Sequence, residues 1–498
     1  MHRVIVIGSG MGGLAAAIDL ARTGCEVTVL ERAAGPGGKL REVTVQGTDI
    51  DAGPTVFTLR AVFESLFDDA GARLEEHLEL VPADLIARHA WSTGGTLDLH
   101  ADLERSVEAI GGFAGGAEAR GYRDFVARGS GLLQALRGSF METERPSAIR
   151  LSARLGAAGL AAMWRTPPWS TLWHQLGEHF RDPRLRQLFG RYATYVGSSP
   201  FAAPATLMLI AHVEQQGVWL VKGGMRRIAL ALEALGLRHG ARYRYHAHVS
   251  QILTQRGRVT GVQLASGEVL EADAVLFNGD ANALASGALG IGARSSVAAI
   301  PSSQRALSAV TWCLRTPVRG FDLAHHSVFF GDDYADEFRA IFARREIGRS
   351  PTVYICAQDR GEAAASPITP GSPERLLLLI NAPADGDRGG ISAAALTQAG
   401  TDAFTMLRRC GLELGTAHDS PEAVITRPQD FEALFPCTGG SLYGRANHGM
   451  LASFQRSGSR SKVPGLYLAG GSVHPGPGIP MATLSGRLAA AAVLQDAR

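Results

Sequence analysis

Cysteine is sparse and never paired in this chain. The five cysteines, Cys25, Cys313, Cys356, Cys410 and Cys437, are scattered and odd in number, with no CxxC among them. That pattern excludes a disulfide framework, a zinc ribbon and a dithiol redox centre, and it suits a reducing compartment. An excess of one charge is also lacking. A formal net charge of +2 offers no broad basic footprint, so no nucleic-acid partner is expected. Long apolar runs are missing too, and none reaches the about 18 residues that cross a bilayer. The first apolar run, Val4–Ile7, is only four residues long and leads straight into a glycine turn, unlike a signal peptide. Among the fifteen histidines, the pairs His246/His248 and His325/His326 have no further ligands at a recognised spacing. They are read as structural histidines, and no metal site is expected.

The 498 residues, 46% hydrophobic and 19% charged, supply enough apolar material for two or three globular domains. No internal repeat or low-complexity linker separates those domains, which points to interleaving along the chain. Residues 3–7 read as a strand, Gly8–Gly13 as a loop, 14–22 as a helix and 26–30 as a second strand, together a βαβ unit. Residues 101–190 carry apolar positions at helical spacing, interrupted at Gly111–Gly116 and at Pro167–Pro168. From 246 to 277 the texture becomes hairpins, with turns at Arg256-Gly257 and Ser266-Gly267. Strands at 353–356 and 376–380 and a helix near 392–410 follow. The fold class is therefore α/β, with mixed α+β parts.

Gly8-Ser9-Gly10-Met11-Gly12-Gly13 matches GxGxxG between a strand and a helix. The first glycine permits the tight turn and the second lets backbone approach a pyrophosphate. The third lets helix and strand pack closely, and the helix N-terminus adds partial positive charge. Glu31 ends the second strand 18 residues after Gly13, where a carboxylate can accept hydrogen bonds from ribose hydroxyls. A dinucleotide site is expected. Immediately afterwards comes a second glycine cluster, Gly37-Gly38-Lys39, for which a nicotinamide enzyme has no general need.

This arrangement resembles the flavoprotein superfamily that includes amine oxidases, in which GxGxxG and a following GG-[RK] element together hold FAD. The run "DIDAGPTVFT" (Asp49–Thr58) is similar to the phytoene-desaturase type of carotenoid desaturase. The closing "GLYLAGGSVHPGPGIPMATLSG" resembles the C-terminal FAD segment of the same family. There, backbone approaches the flavin and a helix dipole near its ring stabilises the reduced, anionic form. Many relatives carry an acidic residue where this chain has Gly471. Lys222-Gly223-Gly224-Met225, followed by a helix, is a further family-like piece. The resemblance implies FAD contacts at Gly8, Gly10, Met11, Gly12, Gly13, Glu31, Arg32, Gly37, Gly38, Lys39, Gly53, Pro54 and Thr55. It implies others at Val249, where hairpin backbone meets the adenine, and at Gly470, Gly471, Gly478, Ile479, Pro480 and Met481. It also implies a Rossmann-like FAD domain split over 1–100, 220–285 and 435–498. A mainly helical substrate- or membrane-facing region at 101–219 and a mixed substrate domain at 286–434 complete the expected division.

"AGPTVFTLR" with the "HPGPGIPMATLSG" ending is most similar to bacterial hydroxycarotenoid 3,4-desaturases, with phytoene desaturases as near neighbours. The expected reaction is introduction of a C=C bond into an acyclic carotenoid, with a hydride passing to the flavin. The expected place is the cytoplasmic side, peripheral on the inner face of a bacterial membrane. Quinone and oxygen both stay open as electron acceptor. Trp164, Trp169 and Trp173, half of the six tryptophans, lie beside Arg165; an interfacial surface and a buried aromatic cluster explain them equally well. Glu142, Glu144 and Arg145 read as a solvated turn, and no catalytic residue is assigned. Two alternatives from other classes stay open: a nicotinamide-dependent dehydrogenase, and a non-enzymatic prenyl-lipid escort protein on the same fold.

Overall fold

The computed structural model describes residues 2–498 except 146, 148–150, 152, 153, 157, 158, 160–163, 168, 365–367 and 370. Pro168, expected to interrupt a helix, lies outside the described residues. The opening strand Arg3–Ile7 is apolar and β-branched after its first residue, and four of its five residues are buried on both faces. It sits at the centre of a five-stranded sheet ordered Leu466–Leu468, Ala274–Phe277, Arg3–Ile7, Glu26–Leu30, Arg242–Arg244. All of its pairings are parallel. In chain order this is 5-4-1-2-3, the doubly wound order read from the other edge, and the order reverses between Arg3–Ile7 and Ala274–Phe277. One sheet is thus assembled from three separated parts of the sequence.

Two helices lie together against this sheet. The first, Met11–Arg22, begins three residues earlier than expected, so Met11, Gly12 and Gly13 form its first turn and not part of the loop. The last, Ile479–Asp496, is rich in alanine. Ala16, Ala17, Ala489 and Ala490 are fully buried, and these small side chains let both helices pack tightly on the strands. Arg487 ties the pair to a third helix, donating to Asp19 Oδ2 at 3.0 Å and to Ser65 Oγ at 2.9 Å.

The expected hairpin region is a three-stranded antiparallel sheet, Val249–Gln255, Arg258–Leu264 and Val269–Glu271. Its first turn places Arg256 and Gly257 at φ 50° and 77°, which matches the twist of the flanking strands.

An eight-stranded mixed sheet forms the second large unit. Its order is Leu412–Leu414, Ser308–Gly320, Pro373–Ala382, Val353–Ala357, His326–Phe330, Leu85–Trp91, Thr96–His100, with Val424–Thr426 also paired to Ser308–Gly320. Here the structure corrects an expected boundary. Leu85–Trp91 and Thr96–His100 belong to this sheet, not to the nucleotide-binding part, because Ser327–Phe330 pair in parallel with Arg88–Trp91. The helices Leu103–Ala114 and Gly116–Leu136 meet at one glycine, Gly115 (φ 98°), while Gly111 and Gly112 stay inside the first of them. The helical part is centred on packed rings: Phe180 and Phe189 stack 4.8 Å apart and Phe125 lies tilted 5.1 Å from Phe189. No helix among the described residues is long and apolar enough to cross a membrane.

Candidate flavin site and adjoining cavity

The switch point of the five-stranded sheet is where the glycine loops converge. Gly8, at φ 97°, turns the chain off the first strand, and the helix that follows has no side-chain cap at Gly10. Its first N–H groups are therefore available to an anion. Gly10 and Gly37 form a parallel bridge, and Gly37 N donates to Ser9 O at 2.9 Å. The second glycine cluster is thus laid directly on the first.

Glu31 is buried and anchors the loop. Its Oε2 accepts from Ser9 N at 2.8 Å and Ser9 Oγ at 3.0 Å, and its Oε1 accepts from Ala33 N at 2.8 Å. Oε2 is filled by its two donors, while Oε1 keeps lone-pair capacity for one further donor. Ala247 N donates to Glu31 O at 2.8 Å, which brings the hairpin that starts at Val249 up to the same edge. Val249 itself is buried in the core beneath it. Arg32 is not brought in. Its side chain is exposed and reaches the carbonyl of Ala433.

The opening and closing segments meet across Asn278, which follows the strand Ala274–Phe277. Its Nδ2 donates to Gly8 O at 3.3 Å. A Cβ on Gly470 would lie 2.9 Å from Asn278 Oδ1, and one on Gly12 would lie 2.9 Å from both Gly470 N and Ala482 O. Gly470 N donates to Ser485 Oγ at 3.2 Å. The closing helix starts after Gly478 (φ 106°) without a side-chain cap and with a proline in its first turn. Ile479 and Pro480 are buried, whereas Met481 faces a cavity. Gly471 offers its carbonyl to Arg456 Nη1 at 3.2 Å.

The middle motifs interlock with these. A Cβ on Gly53 would lie 2.0 Å from Lys39 O, so the Gly53-Pro54-Thr55 turn rests on the second glycine cluster. Pro54 is exposed, and Thr55 Oγ1 bonds the Tyr354 hydroxyl at 2.6 Å. Asp51 Oδ2 accepts from Met225 N at 2.8 Å and holds the Gly223-Gly224 turn in place.

Three charged groups beside the loops were not singled out from sequence or were given no partner there. Lys39 Nζ donates to Leu442 O at 2.6 Å, and burial pulls its pKa down while Asp280 opposes that shift. Burial pushes Asp280 up, opposed first by Lys39. Burial also holds the Arg456 guanidinium down at about 10. Asp280 Oδ1 caps the helix Ala281–Ser286, accepting from Asn282 N at 2.9 Å, while Oδ2 has no partner among the described residues. A strand followed by Asn-Gly-Asp and a short helix is an N-cap signal that could have drawn attention to it. Glu142 and Glu144 are ion-paired to Arg137 and Arg460, which accounts for that turn without chemistry.

Against the start of the closing helix lies a cavity of about 520 Å³, lined by Leu59, Val62, Leu133, Trp219, Met481 and Leu484 with Arg60, Arg137 and Glu142 among its polar groups. The fold also places Cys356 beside the histidine pair, its Sγ 3.5 Å from His325 Nε2. All five cysteines are free thiols.

Uncapped helix N-termini, glycines that admit no Cβ and the buried cations Lys39 and Arg456 beside them fit a large anionic dinucleotide. Comparisons with known proteins agree. Residues 11–494 match the model of the flavin containing amine oxidoreductase family. The chain is 50% identical over 98% of its length to a hydroxyneurosporene desaturase of Rubrivivax gelatinosus, covering 92% of that protein. It is 46% identical over 99% of its length to a hydroxyneurosporene desaturase of Cereibacter sphaeroides, covering 98% of it. Among solved structures, an oxidoreductase from Methanosarcina mazei superposes with a TM-score of 0.60 at 15% identity, covering 99% of this chain and all of that one. The protein belongs to the flavin containing amine oxidoreductase family and is an FAD-dependent oxidoreductase.

Proposed function

We propose that this protein is a carotenoid desaturase that introduces a C=C bond into an acyclic, 1-hydroxylated carotenoid at the 3,4-position. The observation that carries the reading is its full-length identity to hydroxyneurosporene desaturases, of which two are 50% and 46% identical. The glycine loops Gly8–Gly13 and Gly37–Lys39, with Glu31, would hold the pyrophosphate and adenosine of FAD. Gly53–Thr55, Gly470, Gly471 and the turn Gly478–Met481 would border its ribityl–flavin half. When bound, FAD takes up the hydride removed from the substrate, and a proton leaves the neighbouring carbon. The chain's own part is to align a long apolar molecule and keep water out, and the largely apolar cavity of about 520 Å³ next to Met481 suits that role.

Such a substrate resides in lipid. Trp164 and Trp169 are 80% and 67% exposed, which suits peripheral docking on the inner face of a bacterial membrane from the cytoplasmic side. Electrons would leave to quinone or oxygen.

The test is anaerobic incubation of the purified yellow protein with a 1-hydroxylated acyclic carotenoid. Bleaching of the flavin band with formation of a longer, red-shifted polyene is expected. Conversion of phytoene in preference to the hydroxylated chain would replace this reading with that of a phytoene desaturase. A flavin-free protein that carries a bound prenyl lipid would support an escort role instead.

A further inference from the structure

We propose that a second, small cavity beside Thr55 seats the terminal hydroxyl of the substrate, with His326 and Arg191 as its direct partners. Its ligand class is a tertiary alcohol at the end of an acyclic isoprenoid chain. The proposal rests on the desaturase reading above and deepens it.

The cavity measures about 10 Å³, room for one oxygen-sized group. Val56, Val218 and Val328 form an aliphatic wall, and Arg191, Tyr195, Glu214, His326 and Tyr354 form a polar one. The carbinol oxygen would fill the cavity against the polar wall, with the aliphatic wall facing the carbon that bears the oxygen. Two hydrogen-bond chains meet there. On one side Thr55 Oγ1 bonds the Tyr354 hydroxyl at 2.6 Å, and that hydroxyl bonds His326 Nδ1 at 2.8 Å. On the other side Tyr192 and Tyr195 both donate to Glu214, at 2.7 and 2.5 Å, and Arg191 Nη1 reaches the Tyr195 hydroxyl at 3.4 Å.

Two nitrogens of these chains have no partner among the described residues: His326 Nε2 and Arg191 Nε. His326 is only 4% exposed, so an unpaired nitrogen there is costly. Burial, and then the neighbouring His325 and Arg191, hold the His326 pKa well below its ordinary value, so the ring is neutral. In the tautomer whose Nδ1–H donates to Tyr354, Nε2 accepts, while Arg191 Nε–H donates. An alcohol satisfies both at once, since its O–H donates to the imidazole and its oxygen accepts from the guanidinium.

Position gives the site its consequence. Thr55 belongs to the segment proposed to border the flavin. In a 1-hydroxylated chain the C3–C4 bond starts two carbons from the carbinol. Anchoring the hydroxyl beside Thr55 would therefore present that bond, and not the remote polyene, to the cofactor.

The test compares anaerobic flavin bleaching by a 1-hydroxylated acyclic carotenoid and by its non-hydroxylated counterpart. The wild-type enzyme is expected to prefer the hydroxylated chain. His326→Phe and the milder Tyr354→Phe should each cut the ratio of the two second-order rate constants by about 10- to 100-fold. An unchanged ratio in variants that keep full FAD overturns the proposal and leaves a resident water as the occupant. Loss of FAD from both variants overturns it as well, since the cluster would then be structural support. A wild-type enzyme equally active on both chains refutes the pocket alone, whereas one that bleaches with neither refutes the desaturase reading.

Discussion

Gly486 and Gly12 are where the two ends of the chain touch. A Cβ on Gly486 would sit 2.0 Å from Gly12 O, and backbone cannot give way there as a flexible side chain could. Gly486→Val should therefore force the first and last helices apart, with a loss of about 1–3 kcal/mol of stability. FAD occupancy should fall too, because Gly12 and Gly470 are positioned by the same contact. Thermal unfolding and the ratio of flavin to protein absorbance check both effects, and a variant with normal Tm and full flavin would show that the contact is not needed. Glu31→Ala acts differently. It strips a buried acceptor from Ser9 N, Ser9 Oγ and Ala33 N. A stability loss of about 2 kcal/mol is expected even in flavin-free protein. Equal Tm values of the two flavin-free proteins would restrict Glu31 to ligand contact. The glycine turn and the place of Glu31 at the strand end were legible in the sequence because a tight turn on a helix N-terminus makes demands within a few residues, whereas the bonds of Glu31 to Ser9 and Ala33 were not. Asn278, Asp280 and Arg456 were not, since a lone polar residue gives no sign of a partner hundreds of positions away.

Elements show the same division. The βαβ unit, the Arg256-Gly257 hairpin and the helix Ala393–Arg409 were readable from local pattern. The strands Leu85–Trp91 and Thr96–His100 fall within the stretch 1–100 expected in the FAD domain, yet they join the eight-stranded sheet. A strand's alternation states which face is buried but not which edge it joins, and here the partner is Ser327–Phe330. The tryptophan stretch was ambiguous for a related reason. Trp164 and Trp169 point outward, whereas the Trp173 ring packs on Phe201 at 4.6 Å and under the Arg186 guanidinium, also at 4.6 Å. The buried reading holds for Trp173, while Trp164 and Trp169 are exposed, as the interfacial reading requires. Replacing Trp164 and Trp169 together by Ser should weaken co-sedimentation with anionic liposomes several-fold at unchanged Tm. Trp173→Ser should instead lower Tm and leave membrane binding alone. Undiminished sedimentation of the double variant would remove the membrane reading.

For the molecule as a whole, the buried histidines set how stability responds to acid. Burial pushes His89 down to about 3 and His448 and His474 down to about 4, from an ordinary value of 6.5. The folded state then binds fewer protons than the unfolded chain at mildly acidic pH. Their contribution is full above about pH 6.5 and is lost as pH falls toward the folded values. His474 alone accounts for up to about 3 kcal/mol. Glu337 works in the opposite sense: burial raises it to about 7, so its contribution shrinks as pH rises from about 4.5 toward 7. The depressed histidines, His326 among them, outnumber the raised acids Glu337, Asp280 and Asp51. The urea midpoint should therefore fall between pH 7 and 5, and His474→Gln should flatten the slope. A midpoint that rises on acidification would reverse this assignment.

By itself, the sequence determined the dinucleotide turn, the acid that answers it, the flavin-type second glycine cluster and a chain of interleaved α/β parts. Each depends on backbone conformation or periodicity within a window of some thirty residues. The resemblance already implied that the opening and closing loops serve one site; the tertiary structure alone decided that they meet across Asn278, with Asp280 and Arg456 at their side. It alone turned the Arg32 side chain toward Ala433 and gathered Arg191, Tyr195, Glu214, His326 and Tyr354 around one cavity. The physical reason is that burying apolar strands and helices fixes which distant segments meet. Only that packing places polar groups where their unpaired nitrogens can act together.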